Sequence, residues 1–179
     1  MQRAKHLISL TALVFVLASC TNPAGNDDSD SSDTVPVIDR SEIGNALQAA
    51  VTRFPEYLPP GVTWPIDAPH VFDQTNEITG EPILVHKDVA DMVISEHWLC
   101  AWTDNLLSAT QEQRTGDVET ALRQIEKYPN LPEVEKNVDN PDEFTEYFVK
   151  PAQAGDISLI REFYETSCFH FSDLGLETK

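Results

Sequence analysis

Beyond residue 35 the apolar positions recur at intervals of three and four, the spacing of helices with one buried face. In "SEIGNALQAAVTRF" the stripe is Ile43, Ala46, Leu47, Ala50, Val51 and Phe54, with Asp39 or Ser41 as N-cap and Pro55 as the stop. "DVETALRQIEKY" repeats the pattern through Val118, Ala121, Leu122 and Ile125, and Pro129 closes it. In "NPDEFTEYFVK" Asn140 is the expected cap and Pro141 takes the first turn. Acids there sit near the positive end of the helix, and Phe144, Tyr147 and Phe148 face inward. "GDISLIREFYETSC" starts at Asp156 and carries Ile157, Ile160, Tyr164 and Cys168 on one side.

A longer pattern runs from Asp88 to Leu107 and contains "EHWLCAWTDN". Val89, Met92, Val93, Leu99, Cys100, Leu106 and Leu107 share one broad arc, while Ile94, Trp98, Ala101 and Trp102 fill much of the other side. A helix apolar on most sides belongs at the centre of a bundle. His97 and Asp104 fall on the remaining polar arc, facing solvent or a neighbouring loop. Glu96 breaks the pattern, because the helical wheel sets it inside the main apolar arc between Met92 and Cys100. A buried carboxylate there needs a partner, such as Arg123 or Arg161, a gap between helices, or a ligand.

Between the first helix and this one lies "PEYLPPGVTWPIDAPHVFDQTNEITGEPILV", whose five prolines from Pro55 to Pro69 forbid a regular helix. Leu58, Val62, Trp64 and Ile66 fit a proline-stiffened belt laid across the bundle. The alternative is a docking strap that exposes Tyr57 and Trp64. Tryptophan is highly buried on average, which favours the belt.

The N-terminus has a different pattern. Arg3 and Lys5 precede an apolar run from Leu7 to Ala18, which has the layout of an export signal and is short for a membrane span. The run ends in Leu17-Ala18-Ser19-Cys20, which resembles the lipobox of bacterial lipoprotein precursors. The resemblance implies cleavage before Cys20, with residues 1–19 as signal peptide, and diacylglycerol on the Cys20 thiol. It also implies, in many members, acylation of the new amino terminus, and two or more acyl chains anchor stably where one is marginal. Residues 20–34 ("CTNPAGNDDSDSSDT") then read as a lipidated flexible tether, lacking the spaced ligands, turn glycine and closing glutamate of a calcium loop. The mature chain would face outside the cytoplasm, on the plasma membrane or, where two membranes exist, on the outer one.

Charge limits the partners further. The 12 basic residues lose Arg3 and Lys5 on cleavage, leaving 10 against 30 acids, a formal charge of −20. Such a chain repels nucleic acid and anionic headgroups. The roughly 145 residues from Val35 onward suffice for one domain with its own core.

Three roles compete for Cys100. His97 lies one turn away, so a Cys–His nucleophile is geometrically possible, although an apolar setting disfavours the thiolate. His97, Cys100, Cys168 and His170 are the right residue types for tetrahedral zinc, but their spacing matches no known finger. If Cys20 carries lipid, Cys168 is the single remaining partner for Cys100, and an exported chain is oxidised, so a disulfide is the expectation. The fold class is therefore mainly α, a single bundle of about five helices over residues 35–179 with a belt loop and one disulfide.

There is no Gly-x-Ser-x-Gly, His-Glu-x-x-His, phosphate-cradling glycine loop or Cys-x-x-Cys, so no motif assigns a catalytic residue, metal or cofactor. From Val35 to Leu174 the domain resembles small lipoproteins of high-GC Gram-positive bacteria through "LPPGVTWP" and the Trp-x-Cys-x-Trp helix, a likeness that implies no activity. The leading expectation is a lipid-anchored domain that binds a protein or envelope component without chemistry. The runner-up is a small-ligand or metal carrier using Glu96, His97 and Trp98, and third is a small envelope-acting enzyme.

Overall fold

A computed structural model describes residues 36–65, 75, 78–82 and 84–168. The export signal, Cys20, the tether, Ile66 and His170 lie outside the described residues. Among the described residues the protein is helical, apart from a small antiparallel ribbon and the isolated bridge between Thr75 and Pro82. The ribbon pairs β1, Val37–Ile38, with β2, Val85–His86, placing Val37 opposite His86. Two residues per strand are too short to show an alternating pattern, so the sequence did not announce it.

α1, Arg40–Arg53, starts on a capping box: Asp39 accepts from the Ser41 N–H at 2.7 Å, and Glu42 accepts from the Asp39 N–H at 3.1 Å. Asp39, rather than Ser41, is thus the cap. The Ser41 hydroxyl and N–H hold the Asp39 carboxyl below its usual range. The chain leaves helical geometry at Phe54, before Pro55, as proline requires of its predecessor.

α2, Val89–Gln111, is the central helix and runs one turn past Leu107. It contributes to every apolar cluster. Ala90 and Ile94 meet Ile43, Leu47 and Ala50 of α1. Trp98, Leu99, Trp102 and Leu106 meet Ala121 and Ile125 of α3, Thr115–Ile125. Cys100 and Ala101 meet Cys168 beyond the end of α6, Ser158–Ser167. Trp98 and Ile94 are completely buried and Trp102 is nearly so, which makes this helix the hub the sequence called for. Among the described residues, no helix is long and apolar enough to cross a membrane.

Two elements depart from the expected helix count and shape. α4, Pro132–Asn137, was missed because six residues span less than two turns and leave no period to read. Pro132 occupies the first helical position, where its missing N–H costs nothing. α5 covers residues 142–153, but its middle, Thr145–Val149, is a π turn between two α-helical ends. Pro151 explains the widening, because its ring collides with the carbonyl four residues back, that of Tyr147, and it has no N–H to give there.

The widened turn also shifts the register, and Tyr147, expected inward, is exposed. Phe144 and Phe148 do pack inward as the pattern required. Asn140 is not a side-chain cap; its backbone is left-handed at φ 53°, a conformation asparagine tolerates, and it turns the chain into α5. Gly155, at φ 94°, makes the corresponding left-handed turn into α6, where Asp156 accepts from the Ser158 N–H at 3.0 Å.

The belt is laid down as a structural strap. From Phe54 to Pro65 it crosses α2, and the Tyr57 carbonyl accepts from both the Trp98 indole N–H at 2.9 Å and the Trp102 indole N–H at 3.0 Å. Trp64 packs edge-on against Phe54 with centroids 5.3 Å apart. Cys100 and Cys168 form the disulfide, with Cα atoms 5.6 Å apart across 68 positions of sequence.

Two stability tests follow from this architecture. The loop-entropy model assigns the 68-residue closure about 4 kcal/mol, so the Cys100→Ser/Cys168→Ser pair should lower the urea midpoint by that equivalent; an unchanged midpoint would rule out a stabilising cross-link. Trp98→Phe or Trp102→Phe alone leaves the Tyr57 carbonyl one donor, whereas the double variant leaves it none. The double variant should cost more than the two singles combined by about 1–3 kcal/mol, read from denaturant unfolding of all four proteins.

Candidate functional site

Among the described residues, Glu96, His97 and Trp98 do not converge on one cleft. Consecutive helical residues point about 100° apart, and each of these three meets a different environment. Trp98 is in the core, its indole N–H spent on the belt. His97 is buried beneath the belt, its Nε2 3.0 Å from the Thr63 carbonyl and its ring 5.8 Å from that of Trp64. Of the two expectations for His97, the neighbouring loop is right and solvent is wrong. Glu96 is exposed. The wheel assigned it a buried direction, but direction alone does not place a neighbour at that height of the helix. Seven residues on, Thr103 shares its direction and is buried.

Glu96 nevertheless acts on its surroundings. Burial first, then the nearby carboxylates of Glu96 and Glu133, push the Tyr128 phenol up to about 12. Asp104 accepts from the Tyr164 hydroxyl at 3.0 Å, and burial together with this carboxylate likewise raises Tyr164 to about 12. Both tyrosines therefore keep their protons at physiological pH, and Tyr164 donates its own to Asp104. The Cys100 and Cys168 sulfurs are joined to each other at 2.06 Å, so neither is available as a thiolate nucleophile or as a zinc ligand in this state. Among the described residues, no group of three or more His, Cys, Asp or Glu side chains is arranged to hold a metal ion.

Two surface clefts, neither lined by the trio, flank the unanticipated α4. The first, of about 370 Å³, lies between the end of α1, the start of α2 and α4. Its polar groups answer one another: Arg53 bonds Asp91 at 2.8 Å, Lys136 bonds Asp88, and the Ser95 hydroxyl meets Glu133 at 2.5 Å. Lys136 holds the Asp88 carboxyl below its usual range. This cleft sets two ion pairs and the Ser95–Glu133 hydrogen bond over the apolar floor of Ala50, Phe54, Pro55 and Pro132.

The second cleft, of about 310 Å³, is aromatic. Tyr128 lies 5.0 Å from Phe144, Phe144 lies 5.1 Å from Phe148, and Phe163 of α6 closes on both at 6.2 and 5.8 Å. Tyr147 stands at its mouth, 60% exposed, and Asp139 and Glu143 line its edge. The sequence supplied Phe144 and Phe148 as core residues. It gave no sign that the π turn would leave part of this cluster open, although Pro151 was the visible cause. Comparison with protein-family models, with curated proteins and with solved structures returns no match for the chain.

His97 generates a pH prediction with a definite sign. Burial lowers it from 6.5 to about 4, partly opposed by the Thr63 carbonyl, so the folded protein keeps it neutral. The unfolded chain binds its proton at higher pH, so this contribution is complete above pH 6.5 and is lost as pH falls toward 4. It amounts to at most about 3 kcal/mol. His97→Gln should flatten the fall in stability across that window in urea titrations at a series of pH values; an equally steep fall would assign the acid sensitivity to other groups.

Proposed function

We propose that the mature chain is a lipid-anchored, extracytoplasmic domain that binds a protein or envelope component without catalysing a reaction. It is attached through lipid on Cys20 and held off the bilayer by the acidic tether. Depending on the cell, it faces outward from the plasma membrane or sits on an outer membrane. The address is supported by the lipobox-like Leu17-Ala18-Ser19-Cys20 after its basic and apolar segments. A disulfide at the centre of the fold fits the oxidising side of a membrane.

One observation carries the binding role: the described residues of the central helix pack into apolar clusters, while an aromatic cluster opens at the surface beside Tyr147. A carrier built on Glu96, His97 and Trp98 would need these side chains to converge on a cavity, and they diverge instead. The surface alternative has the composition of a recognition patch, aromatic at its centre and polar at its rim.

The reading has two separable tests. Cys20→Ala should move the protein from the membrane fraction to the soluble fraction and remove the lipid mass from the mature species; continued membrane fractionation without lipid would defeat the anchor. Crosslinking and affinity capture of the lipidated protein in its own cells should return a reproducible protein or envelope polymer. Recovery of a bound small molecule and no macromolecule would replace the binding domain by a carrier.

A further inference from the structure

The aromatic cleft has a charge as well as a shape. Residues 133–150, which include α4 and most of α5, hold six carboxylates and two lysines. Lys136 is engaged by Asp88 and Lys150 by Glu146. Asp139 and Glu143 line the cleft itself, and among the described residues no lysine or arginine does. At the mouth, Tyr147 offers an exposed ring beside these acids, a combination that attracts a cationic side chain through both its carboxylates and its ring face.

We propose that this cleft docks a cationic protein segment. A large apolar side chain of the segment enters among Phe144, Phe148 and Phe163, and its flanking lysines or arginines meet Asp139, Glu143 and the face of Tyr147. The inference rests on the binding-domain reading above and adds the location and the chemistry of the partner. The volume, about 310 Å³, lies at the lower end of the range for ligand pockets, enough for one bulky anchor rather than a whole helix face.

Charge argues against other occupants. A second copy of this chain would bring its own formal charge of −18 or below to an acidic rim, and nucleic acid or anionic lipid would be repelled in the same way. The π turn supplies the opening: it takes Tyr147 off the packed face while Phe144 and Phe148 stay on it, leaving the cluster unroofed on one side.

The test uses the full lipidated protein in nanodiscs of zwitterionic lipid, so that a basic probe does not adsorb to the bilayer. The probe is a synthetic peptide alternating lysine with phenylalanine, and its control replaces each lysine by glutamate. Calorimetric titration should show the lysine peptide binding with an affinity that falls as salt rises, and the glutamate peptide failing to bind. Tyr147→Ala should weaken the lysine peptide about tenfold, and so should the charge-neutral pair Asp139→Asn/Glu143→Gln. Both variants alter exposed side chains, and unchanged circular dichroism and thermal unfolding verify that the fold is intact. Equal binding of the two peptides, indifference to both variants, or a dimer that Tyr147→Ala disrupts would each overturn the proposal. Peptide failure combined with successful capture in cells would place the docking surface elsewhere and leave the binding-domain reading standing; failure of both would remove that reading too.

Discussion

The fold depends on one carbonyl. Trp98 and Trp102 lie one turn apart on α2, and both indole N–H groups end on the carbonyl of Tyr57. Two tryptophans buried in a small domain bring large apolar area and two donors that cannot be left without partners. A single exposed belt residue satisfies both, using its backbone, so the identity of its side chain is free for other work. The Tyr57 hydroxyl accepts from the Gln124 amide of α3 at 2.8 Å, and its ring packs edge-on against Trp102 at 5.7 Å. The belt is thereby fastened to two helices at one point. Neighbouring contacts extend the fastening, with Lys127 bonding Glu56 at 2.7 Å and His97 meeting the Thr63 carbonyl.

This fastening explains how a proline-rich segment can be ordered. The prolines at 55, 59, 60 and 65 reduce the freedom the chain must surrender, and Pro59 and Pro65 are themselves buried. A more flexible linker with the same contacts would give back more conformational entropy. The disulfide does for the C-terminal side what the carbonyl does for the belt, tying the end of α6 to the same central helix. Cys100 sits between the two tryptophans in sequence, so α2 receives the belt and α6 within one and a half turns.

Where the sequence was legible, a physical regularity repeated often enough to be read. The stripes of α1, α2, α3 and α6 extend over several turns, and at α1 an acidic cap and a following proline mark both ends; α3 ends at Ile125, short of Pro129, which sits in a 3-10 turn of its own. The pairing of Cys100 with Cys168 followed once Cys20 was set aside. What stayed hidden depends on single contacts. α4 has too few residues for a period, yet its Val134 is fully buried and its Glu133 meets Ser95. His97 looked like a polar-face residue on the wheel and is buried, because a belt distant in sequence covers it; Ser95 is buried as well, its hydroxyl meeting Glu133 of α4. Glu96 looked buried on the wheel and is exposed. Helical direction is encoded locally, whereas cover is decided by segments tens of residues away.

The same distinction bears on function. Local rules agree with one another around Trp98 and Trp102, and there the protein is closed. They conflict in α5, where a helical pattern meets Pro151, and the conflict is absorbed by a π turn that opens an aromatic cluster beneath acidic neighbours. Natural sequences tend to keep local preference and tertiary structure consistent, and departures gather where something other than stability is being selected. Keeping proline at 151 costs regular hydrogen bonding and leaves an open aromatic surface, the feature on which the proposed binding role rests.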